Sequence, residues 1–143
     1  MAIDIESLQK AINIFNTVIE KSSNIEIISH LDQETREVVI SGAVRHFEFT
    51  FDSCVEYMKQ WLDQNAAGIP AGSLRKDLFD IAQAHHLIDD AAKWKEFQQV
   101  RSNTIHPHDI KSDAEIYIVV RQFPVYANRF FKVVDFRQHN KQK

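Results

Sequence analysis

A single cysteine, Cys54, leaves no pair for an intramolecular disulfide. That excludes a cross-linked secreted scaffold and suits a reducing cytosol. Three glycines and three prolines are few for 143 residues, and they point to a helical protein with few turns. No apolar run approaches the roughly 18 residues a membrane span needs. The first residues lack the basic-then-apolar order of a signal peptide. Positive charge is also short: the net charge is −3, which argues against a general electrostatic grip on nucleic acid. A small local basic site remains compatible with it. No repeat and no low-complexity linker breaks the chain.

What is present is apolar bulk. Hydrophobic residues make up 44% of the chain, ten of them phenylalanine. The length suits one domain, expected over residues 1–137, with a polar tail from Gln138 to Lys143 that should fray.

Periodicity places the helices. Leu8, Ala11, Ile12, Phe15, Val18 and Ile19 recur at helical spacing, predicting a helix from Asp4, its N-cap, to about Lys21. Residues Ile25 to Leu31 read equally as its continuation or as a connection. The longest helix should run from about Asp32 to Asp63. Its core stripe is Ile40, Val44, Phe47, Phe51, Val55, Met58 and Leu62. A partial second stripe is His46, Phe49, Ser53 and Tyr57, as in a helix buried on two faces or using one for a partner. Gly42 within it suggests a close crossing. After the loop 65–72, Ser73 should cap a third helix to about His86. Asp89 should cap a fourth. A fifth should run from about Asp113 to Asp135, kinked by Pro124. The fold expected is all-α, an up-and-down bundle of four or five helices.

The chemistry gathers after the fourth helix, where Arg101, His106, His108 and Asp109 fall within nine residues. Arg101 lies four residues after Phe97 and seven after Trp94, on the same apolar stripe. A charge there needs a partner or a purpose. Pro107 pushes His106 out of the helical region, so the helix should stop near it. One reading is structural: an arginine paired to a carboxylate of a neighbouring helix, and a histidine favoured near a helix C-terminus. The other is a phosphate site, with Arg101 forking onto oxygens and His106 moving protons. His106, His108 and Asp109 as metal ligands find no supporting spacing elsewhere, so no metal and no cofactor is assigned. Arg45, Glu48 and Asp52 form a charged stripe beside the core face of the long helix. They are either a solvated face, or Glu48 and Asp52 line a cleft or hold Arg101. Cys54 reads as a small buried residue rather than a nucleophile.

Several segments then occur in a telling order. They are Arg45 to Phe51 in a long helix, Arg75 to Phe79, Leu87 to Asp90 followed by Trp94, and Arg101 followed five residues on by His106. This resembles the nucleotidyltransferase substrate-binding protein family, also called HepT-like, of the HEPN superfamily. The resemblance covers about residues 4–136. It implies a helical bundle, usually a homodimer in whose cleft the arginine and histidine of both protomers meet, and a nucleotidyltransferase subunit as partner. In some such systems the HEPN protein is the ribonuclease toxin of a toxin–antitoxin pair. On this resemblance Arg101 and His106 are the candidate catalytic pair. Glu48, Asp52, Asn103 and His108 are further candidates for binding. The chain departs from the family at two places. Ser102 follows the arginine where a polar residue such as asparagine is usual, with Asn103 one place later. His108 stands where toxin members often have a tyrosine that accepts an adenylyl group, a departure that counts against modification at this position and weakens the ribonuclease reading. The expectation is a nucleotidyltransferase-associated binding protein with a nucleotide or RNA phosphate site. A metal-independent endoribonuclease and a non-catalytic helical interaction module are the alternatives.

Overall fold

A computed structural model of the chain describes residues 2–66, 68–70, 72–104 and 113–141. Among these residues there are seven helices and no strand: α1 (Ile5–Ser22), α2 (Ile25–Ile28), α3 (Gln33–Asn65), α4 (Arg75–Ala84), α5 (Ala91–Asn103), α6 (Asp113–Val120) and α7 (Phe123–Lys141). The long α3 is the spine, and α1, α6, α4 and α7 all pack on it. The all-α bundle is as the patterning implies, and α2 resolves the ambiguous stretch as a single helical turn.

Aspartates start the helices because their carboxylates accept the backbone N–H groups a first turn leaves unpaired. Asp4 accepts from the Ser7 N–H at 2.7 Å, Asp32 from Thr35 at 2.7 Å and Asp90 from Lys93 at 3.1 Å. Bonds from Ser7 and Thr35 hold the Asp4 and Asp32 carboxyls below the usual carboxylate range. Two expected caps are corrected. The fourth helix is capped by Asp90, not Asp89, which instead pairs with Arg129 at 3.4 Å. The third begins after Leu74, whose N–H donates to Asp77 at 3.0 Å, while the Ser73 hydroxyl turns back to the Pro70 carbonyl at 2.7 Å. That helix also stops at Ala84, short of His86. His86 takes φ 61°, the left-handed conformation that ends a helix. Arg137 donates to the carbonyls of His85 and His86 at 2.8 and 3.3 Å and secures the turn.

The core stripe of α3 is buried from Val44 through Phe47, Phe51, Val55, Met58 and Leu62, with Ile40 partly buried. The second stripe divides. Ser53 and Tyr57 are buried, whereas His46 and Phe49 are exposed. Gly42 is exposed and, among the described residues, a Cβ there would meet nothing within 4 Å, so it marks no close crossing between them. Cys54 is fully buried, and burial pushes its thiol far above its ordinary range, in keeping with an inert core residue.

The last helical stretch is two helices rather than one kinked one. Arg121 and Gln122 form a turn, and Pro124 falls in the first turn of α7. There the missing N–H breaks no helical bond and the fixed φ is already helical. The break delivers Phe123 to the centre of the core. Its ring lies 5.0–5.9 Å from those of Phe15, Phe47, Phe51, Trp94 and Phe97, mostly edge to face. Such aromatic pairs add about 0.5–1.5 kcal/mol each beyond area burial. Polar ties set the register around it. Asn16 and Asn128 exchange amide bonds at 3.2 Å, joining α1 to α7. Ser22 and Tyr117 share a 2.6 Å bond, joining α1 to α6. The polar segment expected to fray is instead helical through Lys141, with Gln138 accepting from the Tyr57 hydroxyl at 2.6 Å.

Phe123→Ala should therefore destabilise the fold by about 3–5 kcal/mol. This would be read in urea as a lower midpoint at unchanged slope. A loss below about 1 kcal/mol would contradict the central place given to this ring.

Candidate functional site

Arg101 sits in the last turn of α5, the helix that Trp94, Phe97 and Val100 bury against the core. Those contacts fix the rotation of α5 and aim the arginine across to α3. Its guanidinium meets Asp52 edge-on. Nε donates to the two carboxylate oxygens at 3.2 and 3.3 Å, and Nη2 donates to Oδ2 at 3.0 Å. Nη1 donates to the Thr104 hydroxyl at 3.1 Å and lies 3.9 Å from Glu48. At that distance Glu48 acts through charge and not through a hydrogen bond. The side chain of Arg101 is 19% exposed and that of Asp52 36%. Asp52's hydrogen bond, outweighing a burial penalty, raises the arginine above its ordinary value, so it is a permanent cation.

Asp52 serves a second arginine. Arg75, the first residue of α4, donates from Nη1 to Oδ1 at 3.1 Å and to the Gln98 side chain at 3.3 Å. Gln98 in turn donates to the Ser102 hydroxyl at 3.2 Å. Side chains from three helices thus close around one carboxylate at the protein surface.

Of the candidates named from the sequence, Arg101, Asp52 and Glu48 come together, with Asp52 in hydrogen-bond contact and Glu48 at ion-pair distance. The reading of Glu48 and Asp52 as holders of Arg101 describes the geometry, and so does the reading of Arg101 as paired to a neighbouring helix. Asn103 is not brought in. Its side chain accepts from Gln99 at 3.3 Å, one turn back on α5. His106, His108 and Asp109 lie outside the described residues. Arg75, Gln98 and Thr104 complete the cluster without having been singled out for it. Thr104 follows Arg101 by three residues and Gln98 precedes Ser102 by four, spacings that meet on one helix face. Nothing local links Arg75 to Asp52, which lies 23 residues away.

Chemically, the arrangement is a guanidinium fixed along one edge. Among the described residues, Nη1 and Nη2 each keep a second N–H without a hydrogen-bond partner. A cation held in this way and offering N–H groups at its end suits an oxyanion, phosphate above all.

Comparison with known proteins bears on most of the chain. Residues 3–135 match the family model described as "Nucleotidyltransferase substrate binding protein like". The chain is 29% identical over 108 residues to a Haemophilus influenzae protein named "Probable ribonuclease HepT", covering 73% of this chain and 72% of that one. It also resembles a solved structure from the same species, reported to reveal the fold of a substrate-binding domain of a nucleotidyltransferase. There the TM-score is 0.82 at 21% identity, over 90% of this chain and 97% of the other. At that identity the likeness bears on the fold, and it agrees with the bundle described above. Among the described residues, no helix is long and apolar enough to cross a membrane.

The Asp52–Arg101 contact should show as an interaction energy of about 1 kcal/mol in a double-mutant cycle on stability, with Asp52→Ala and Arg101→Ala as the single variants. A value indistinguishable from zero would mean that the pair holds nothing.

Proposed function

The chain belongs to the nucleotidyltransferase substrate binding protein like family, and from that premise we propose that it is the helical binding partner of a nucleotidyltransferase. In this reading it works as a HEPN-type homodimer, and Arg101 and His106 line a phosphate site for a nucleotide or RNA at the dimer cleft. The observation that carries the reading is the anchoring of Arg101. Asp52 grips the Nε–Nη2 edge and Thr104 takes one Nη1 bond, so the side chain loses little further freedom when a phosphate arrives. Asp52 is a positioning residue here, and Glu48 limits how much anionic charge the site attracts. The net charge of −3 favours a small phosphate-bearing contact over a broad nucleic-acid footprint.

The relative named as a probable ribonuclease supports a second reading, a metal-independent endoribonuclease. The RNA 2′-oxygen would bond to the adjacent phosphorus as the bond from phosphorus to the 5′-oxygen breaks. His106, neutral, would take the 2′-hydroxyl proton, and water would protonate the departing 5′-oxygen. Arg101 would stabilise the charge that develops on the non-bridging oxygens.

One experiment separates the readings. A labelled RNA pool is incubated in EDTA with the wild type, Arg101→Ala and His106→Ala, and both binding and cleavage are recorded. The binding reading predicts intact RNA and an affinity at least about tenfold weaker in Arg101→Ala, the scale of a lost charged hydrogen bond. Cleavage that survives EDTA and vanishes in both variants would establish the ribonuclease. RNA neither bound nor cut would refute both as far as RNA is concerned and leave a free nucleotide as the ligand to be tried.

A further inference from the structure

We propose that Arg75 is a second anion-binding residue, and that Arg75 and Arg101 together take a ligand with two neighbouring phosphate groups. The inference rests on the phosphate-site reading of Arg101. Its own observation is the sharing of Asp52. Arg75 Nη1 and Arg101 Nε bond the same oxygen, Oδ1, at 3.1 and 3.2 Å. The two nitrogens can therefore be no further apart than two hydrogen-bond lengths, although they come from different helices.

Arg75 is not needed to neutralise Asp52. Arg101 already engages both carboxylate oxygens, and a partly exposed carboxylate gains little from a second cation. The other acceptor on Arg75 is the neutral amide oxygen of Gln98, not a second carboxylate. Among the described residues Arg75 is tied through Nη1 alone. Among the described residues its Nε and Nη2 have no hydrogen-bond partner, and a third of the side chain meets solvent. The carboxylate thus sets two guanidinium groups side by side, Arg101 anchored along its Nε–Nη2 edge and Arg75 at Nη1, and among the described residues each has N–H groups to spare. One phosphate needs one such fork. Two adjacent phosphates, in a nucleoside diphosphate or triphosphate or along an RNA strand, match two.

The test is calorimetric titration of inorganic phosphate and inorganic pyrophosphate into the wild type, Arg75→Gln and Arg101→Gln at fixed ionic strength, with a labelled RNA hexamer titrated over a salt series. The wild type should bind pyrophosphate at least about tenfold tighter than phosphate, as one further charged contact would give. Arg75→Gln should remove that advantage while leaving phosphate affinity nearly unchanged. Arg101→Gln should weaken both. If RNA supplies the phosphates, Arg75→Gln should also lower the slope of log affinity against log salt by about 0.7, one phosphate contact on a single strand. Loss of the pyrophosphate advantage with an unchanged RNA slope assigns the pair to a free nucleotide. Arg75→Lys, which keeps a cation beside Asp52, guards against a folding defect and should retain part of the advantage.

An unchanged ratio and slope in Arg75→Gln would overturn the inference, as would an equal loss for both anions. If Arg101→Gln still weakens binding in that case, the single-arginine site stands and only the role of Arg75 falls. No binding of either anion or of the hexamer by the wild type would bring down both.

Discussion

The carboxylate of Asp52 is the point on which the functional end of this molecule depends. It faces two arginines, and both must approach it from other helices. Its own position is fixed from below, because Phe51 and Ser53 on either side are buried in the bundle. The rigidity of the core is thereby passed to a group at the surface. Arg101 arrives on a helix whose rotation is set by Trp94 and Phe97, and Arg75 on the first turn of α4. Neither contact is strong as a surface ion pair. Their importance lies in orientation: two long, flexible cations are tethered, Arg101 along one edge and Arg75 through Nη1, and part of the entropy of fixing them is lost in folding rather than in binding.

Beneath this cluster the aromatic core acts as the frame. Phe123 touches rings from α1, α3 and α5, so the start of α7 ties together the helices that carry the arginine and its carboxylate. The turn at Arg121 and Gln122 makes this placement available. A continuous helix would carry its side chains past the centre at helical spacing instead of beginning there. The amide pair of Asn16 and Asn128 and the Ser22–Tyr117 bond then fix how α1 sits against α7 and α6. Buried and half-buried polar groups satisfied in this way specify one arrangement among many of similar apolar burial.

Much of this can be read from the chain, and the rest has identifiable reasons for escaping. The stripe of α3 from Val44 to Leu62 is legible because a 3.6-residue period is a local property. The aspartate starts are legible too, although Asp89 and Asp90 cannot be told apart by type. Only the structure shows which of them accepts the Lys93 N–H and which turns to Arg129. Pro124 reads as a kink because a proline inside an apolar periodic run is compatible with a kink or with a new first turn. Gly42 implies a crossing by residue type alone, and an exposed helix face gives it none. At the site, Arg101, Glu48 and Asp52 are legible as charges out of place beside apolar stripes. Arg75 is not, since a salt bridge between helices leaves no spacing in the sequence.

The most direct test of the account is an NMR measurement of the Arg101 side-chain Nε–H in the wild type and in Asp52→Ala, at a pH where free guanidinium protons exchange rapidly. If Asp52 anchors the arginine, the wild type gives a resolved, slowly exchanging resonance that broadens away in the variant while the backbone spectrum of the core is unchanged. A resonance equally protected in both proteins would mean that Asp52 does not hold Arg101, and the site would need another organising group.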